Sequence, residues 1–146
     1  MPSLNHSYLC AQIMRQLLQN PAIFPLPELS LNIENGLTPD ISVYPSEAIN
    51  PDFLNDVVKY DKLPIMAIEV VSSSQNIQAL LNKAKKLAQA GVASVLTLEP
   101  YGRTVFLTRP NTETQILRDQ AVEAEGIAID FKRIFEKHPA QLIPSV

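Results

Sequence analysis

From Ile65 to Val71 every residue is apolar except Glu69. An apolar run of this length, entered from Pro64 and left through Ser72, Ser73 and Ser74, reads as a central strand buried on both faces. The three serines are suited to capping a helix, and helical spacing runs from about Gln75 to Ala90 before Gly91 stops it. Val92 to Glu99 is again strand-like. A strand, a helix and a strand in this order predict a right-handed parallel crossover, which places the chain in the α/β class. An ionised carboxylate inside such a strand is costly unless a cation compensates it, so Glu69 is the first candidate functional residue.

Upstream, Leu9, Ile13 and Leu17 recur at helical spacing, with Cys10, Met14 and Leu18 beside them, and the pattern stops at Asn20 and Pro21. Leu29, Leu31 and Ile33 then alternate with polar residues, and Ile41 and Val43 resume the alternation after Asn35 and Gly36. This predicts two antiparallel strands joined by a hairpin at Asn35-Gly36, with Asp40 near the start of the second. Pro45 to Pro64 reads as a surface loop, with at most a short helical piece around Phe53 to Val58. Downstream, Arg103 to Thr108 is a strand that follows a turn at Pro100, Tyr101 and Gly102. Ile116, Leu117, Ile127 and Ile129 suggest a further strand or two, and Phe131, Ile134 and Phe135 a short closing helix.

Composition narrows the function classes. The chain has 146 residues, enough for one compact domain with a real core. It is 46% hydrophobic and 18% charged, below the roughly 25% charged of average soluble domains, which suggests a surface shared in an oligomer. A net charge of -3 gives no global electrostatic footprint for nucleic acid, so any DNA contact must be local or carried by metal ions. One cysteine and two histidines exclude an internal disulfide framework and a protein-only structural zinc site. A reducing, cytoplasmic setting is expected, because no apolar stretch reaches the roughly 20 residues of a membrane span and no export signal is evident at the start. No nucleophile elbow, phosphate-binding loop or dinucleotide fingerprint is present.

The order helix, three strands, helix, strand, together with Pro39-Asp40, the segment Ile68 to Ser72, the helix Lys83 to Gly91 with Val92, and the late Ile127 to Phe135 stretch, resembles the PD-(D/E)xK restriction-endonuclease-like superfamily. Within it the chain looks like the Uma-type family of bacterial restriction-endonuclease-like proteins, whose function is largely unknown. The resemblance spans roughly Leu4 to Glu99. It implies a single nuclease-like domain over 1–146, with a mixed α/β sheet and C-terminal strands and a short helix added to the core.

The activity implied is metal-dependent hydrolysis of DNA phosphodiester bonds. Asp40 and Glu69 would be catalytic residues and ligands of Mg2+, with Mn2+ as the alternative ion and the backbone carbonyl of Val70 as a further ligand. Lys83 would be the catalytic ammonium, and a homodimer suits double-strand cleavage. The superfamily's usual lysine position, two residues after the second carboxylate, holds Val71. Helical periodicity puts Lys83 and Lys85 on opposite flanks of the apolar face and Lys86 towards solvent. Periodicity leaves Lys83 and Lys85 open, and the resemblance favours Lys83.

The chain also departs from the family at Ala79, at Leu87, at Ala93 to Val95, and in lacking a strand before the first helix. The alternative is therefore a catalytically silent relative, acting as a binding or oligomerisation module. Each candidate has a structural reading too: a strand-edge aspartate, a carboxylate paired with an unseen cation, and a solvated lysine. His6 reads as a solvated or capping residue unless it borders the active cleft, and Cys10 as a buried thiol.

Overall fold

The structure is a computed structural model that describes residues 2–137; the expected span of 1–146 reaches beyond them at both ends. Helix α1 (Leu4–Leu17) opens the chain, with the Ser3 hydroxyl capping it by accepting from the His6 amide. Strands β1 (Ile23–Pro27), β2 (Ile41–Pro45) and β3 (Met66–Val70) follow, then helix α2 (Ile77–Ala90), then β4 (Ser94–Glu99), β5 (Thr104–Thr108) and β6 (Gln115–Arg118). These six strands form one mixed sheet in sequence order, with β3 and β4 parallel and every other neighbouring pair antiparallel. A separate hairpin of β7 (Ala121–Ala124) and β8 (Ile127–Asp130) and a single 3-10 turn at Arg133–Phe135 close the described chain.

The parallel β3–α2–β4 unit fills the centre, as the apolar run predicts. All of β3 is buried, because both of its faces are covered. Met66, Ile68 and Val70 face one core with Leu9, Ile13 and Leu17 of α1 and with the β7–β8 hairpin. Ala67 faces a second core with Ala84, Leu87 and Ala88 of α2. Strand alternation therefore sends Glu69, two residues from Ala67, to the α2 side. Gln16 fastens α1 to β8 through its side chain, which donates to the Asp130 carbonyl at 3.0 Å and accepts from the Asp130 amide at 2.8 Å.

The structure corrects four local expectations. The strand that pairs with β2 is Ile23–Pro27, not Leu29–Ile33. Leu29, Leu31 and Ile33 instead pack into the α2-side core from an irregular loop, in which Leu31 bridges Leu37 across a turn with Glu34 at φ 53° and Gly36 at φ 105°. Asn35-Gly36 thus makes a turn, but inside that loop. The cap of α2 is Asn76, whose side chain accepts from the Gln78 amide at 2.8 Å, and not one of the three serines. In the Pro45–Pro64 loop the helical piece is a 3-10 turn at Ser46–Ala48, while Phe53 to Val58 has no regular structure and is exposed.

Candidate functional site

Asp40 immediately precedes β2, and the antiparallel register that pairs Ile41 with Ile68 sets Asp40 opposite Glu69 on β3. The two carboxylates thus meet at the C-terminal end of the central strand. Asp40 is fixed from two directions, since its Oδ2 accepts from the Val70 amide at 2.8 Å and lies 3.0 Å from Nε2 of His6. The contact to Val70 is made by its N–H, which turns Asp40 towards β3. Both hydrogen bonds fall on Oδ2.

Glu69 is buried, with its side chain 2% exposed. Lys83 reaches over it from α2, with Nζ 2.5 Å from Oε1, and donates to the Thr38 carbonyl at 2.8 Å. The contact to Oε1 is a short, buried ion pair, and the Lys83 ammonium is the partner of this oxygen. Burial pushes the Glu69 carboxyl up to about 7; the Lys83 ammonium opposes the rise and the charge of Asp40 adds to it. Lys83 donates to one carbonyl and pairs with one carboxylate, which leaves part of its three-proton donor capacity available. Lys85 is exposed, and Lys86 lies at the surface 3.4 Å from Glu34. Of the two flanking lysines left open by periodicity, the fold brings Lys83 to the carboxylates.

His6 is buried beside Asp40, where a solvated or capping residue was the main expectation. A signal was available in the sequence: counting back from Leu17, Ile13 and Leu9 at helical spacing leads to position 6, so His6 continues the buried stripe of α1. Cys10, one turn further along, is half-buried, with Sγ 4.0 Å from both imidazole nitrogens. Its thiol is pushed up to about 12, first by burial and then by the charges of Asp40, Glu69 and Glu28. Thr97, paired with Glu69 across β3 and β4, is fully buried and its hydroxyl has no hydrogen-bond partner among the described residues. Nothing in the sequence singled it out.

A cleft of about 930 Å³ opens beside this cluster, between the start of α1, the segment after β3 and the β4–β5 turn. Leu4, Tyr8, Ser72, Gln75, Tyr101 and Arg103 are among its lining residues, whereas Asp40, Glu69 and Lys83 are not. It passes the segment that follows β3, where Val71 and Ser72 lie on its wall. Val71, in the superfamily's usual lysine position, is a buried apolar side chain. The β4–β5 turn is held by the Glu99 carboxylate, which accepts from the Tyr101 and Gly102 amides.

A family model described as "Putative restriction endonuclease", Uma2, matches residues 1–136. Among solved structures, the crystal structure of a protein from Anabaena variabilis, described as a putative nuclease belonging to DUF820, is similar with a TM-score of 0.75 and 21% identity. The match covers 92% of this chain and 82% of that one, and it shows that the two share a fold. A cryoEM structure of a DrdV-DNA complex matches at a TM-score of 0.43 and 14% identity, over 93% of this chain and 11% of that one, too weakly to carry an argument. No curated protein matches the sequence. With its matched residues running from the first helix through the last described turn, the chain belongs to the Uma2 family of restriction-endonuclease-like proteins.

Proposed function

We propose that this chain is a metal-dependent endonuclease that hydrolyses DNA phosphodiester bonds. The observation that carries the reading is the meeting of Asp40 and buried Glu69 at the end of one strand, with the Lys83 ammonium over Glu69. The donor set fits a hard divalent cation: two carboxylates meet at one strand end, and the contacts of His6 and the Val70 amide with Asp40 fall on one of its two oxygens. Asp40 and Glu69 would hold Mg2+, or Mn2+ in its place, with the Val70 carbonyl as a further ligand. Such an ion would supply charge compensation on the phosphate and a more acidic bound water.

The chain's own groups carry the rest of the chemistry. In hydrolysis a water gives up one proton as its oxygen bonds to phosphorus, the bond from phosphorus to the leaving ester oxygen breaks, and that oxygen takes up one proton in turn. Lys83 favours the charged form of Glu69 against the burial that opposes it, orients the attacking water and offers a remaining N–H to the phosphate as its negative charge grows. His6 positions Asp40 from the opposite layer. Tyr8, Tyr101 and Arg103 line the neighbouring cleft, a mixed aromatic and cationic surface of the kind that holds a nucleic-acid strand without a strongly basic net charge.

The active unit is a homodimer of single domains spanning 1–146, in the cytoplasm. Among the described residues no helix is long and apolar enough to cross a membrane. Low surface charge leaves apolar area for a second copy to cover, and Phe53 and Leu54 are each 92% exposed.

The test is cleavage of supercoiled plasmid with Mg2+ and with Mn2+, comparing wild type with Asp40→Ala, Glu69→Ala and Lys83→Ala. Wild type is expected to nick or linearise the plasmid only when a divalent ion is present, and all three variants to leave it supercoiled. A wild type that leaves a broad panel of DNA substrates intact would favour the silent relative, to which Val71 in the strand lysine position already points.

A further inference from the structure

We propose that His6, Cys10 and Asp40 form a binding site for a borderline transition-metal ion of the zinc class, distinct from the Asp40–Glu69 pair except for the shared aspartate. One ligand atom from each of the three side chains lies within 4.8 Å of the others. Two of the residues stand one turn apart on α1, so a rigid helix sets their separation, and the third comes from the sheet beneath it. His6 and Asp40 are 3.0 Å apart and Cys10 Sγ is 4.0 Å from the imidazole nitrogens. Around a tetrahedral zinc, with bonds of about 2.0 Å to nitrogen and about 2.3 Å to sulfur, neighbouring ligands sit roughly 3.5 Å apart. The His6–Asp40 separation lies about half an ångström below this spacing and the Cys10–His6 separation about half an ångström above it.

The donor chemistry argues for the ion class. A magnesium ion takes hard oxygen ligands and has no use for a thiolate, whereas nitrogen, sulfur and one carboxylate oxygen suit zinc or cobalt. Three protein ligands leave a fourth position open, the pattern of an accessible site and not of a closed structural one. An imidazole–carboxylate hydrogen bond alone would pin α1 to the sheet, but it needs no sulfur beside it. The site does not depend on nuclease activity, and its test reads metal binding directly.

The experiment adds Co2+ to the metal-free full chain in a phosphine reductant and records the absorption spectrum. Wild type is expected to develop a thiolate-to-cobalt charge-transfer band in the near ultraviolet that Zn2+ abolishes and Mg2+ does not. Cys10→Ser should lack the band and His6→Ala should bind Co2+ at least about tenfold more weakly, while Glu69→Gln keeps the band. In weakly buffered solution, Zn2+ should release about one proton fewer from Cys10→Ser than from wild type, because the thiol must ionise to bind. Far-ultraviolet circular dichroism confirms that each variant is folded. A wild type without the band at excess Co2+, or a band that survives Cys10→Ser, overturns the proposal. Plasmid left intact by a wild type that shows the band would count against the nuclease alone.

Discussion

Above neutral pH the Glu69 carboxylate sits in the sheet with Lys83 as its cation and Asp40 as a neighbouring negative charge. Its pKa of about 7 in the folded chain lies above the ordinary 4.5, so between these values the folded state holds a proton that the unfolded state has lost. Stability contributed by this residue is therefore fully present below about pH 4.5 and declines as pH rises to about 7. Replacing Glu69 by glutamine removes the titration. In the absence of divalent ions, the stability of Glu69→Gln relative to wild type is expected to be greater at pH 8 than at pH 5 by about 2–3 kcal/mol, at the 1.36 kcal/mol per pKa unit of linkage. Urea melts at the two pH values measure it, and a difference that does not change with pH would mean that burial leaves the carboxylate unperturbed. Excess Mg2+ at pH 8 is expected to raise the wild-type melting temperature, because the ion compensates the charge that burial penalises.

At the scale of elements, the central unit was legible because burial on both faces of β3 writes an unbroken apolar run, and α2 writes a one-sided helical period. Asp40, Glu69 and Lys83 could be picked out for related reasons, two from strand context and the third from a family pattern that periodicity alone could not complete. β1 was not legible. Its Pro25 and Pro27 interrupt any strand pattern, yet as the edge strand of the sheet it has one side free of ladder bonds and accepts proline there. The alternation of Leu29, Leu31 and Ile33 imitated a strand because these residues fill space beneath α2. His6 was readable in principle from the α1 stripe, but its partner Asp40 is distant in sequence, and only the fold closes that gap. The end of α2 offers a test of the turn chemistry: Gly91 has φ 123°, and an added Cβ would lie 3.1 Å from a Leu63 methyl. Gly91→Ala is expected to cost about 1–2 kcal/mol in urea unfolding, since alanine disfavours this backbone region and the contact is tight. A neutral effect would show that the Gly91 turn relaxes freely.

For the whole molecule, the layers explain how distant segments build one site. The sheet carries Asp40 and Glu69, α2 brings Lys83 from one side, and α1 brings His6 and Cys10 towards Asp40. The same architecture leaves the 50–58 loop outside both cores with Phe53, Leu54 and Val58 exposed. If a second copy covers this loop, light scattering is expected to give a dimer mass for wild type and a monomer mass for a Phe53→Asp, Leu54→Asp double variant that keeps its melting temperature; a dimer that survives these changes would move the interface elsewhere. The central claim, that Asp40 and Glu69 work as one metal-dependent catalytic pair, is tested most directly by DNA cleavage rates for Asp40→Asn, Glu69→Gln and the double variant at saturating Mg2+. Residues that act as a unit lose activity together, so each single variant is expected to fall roughly a hundredfold or more and the double to fall no further. A single variant that cleaves at the wild-type rate, or losses that multiply in the double variant, would contradict the account.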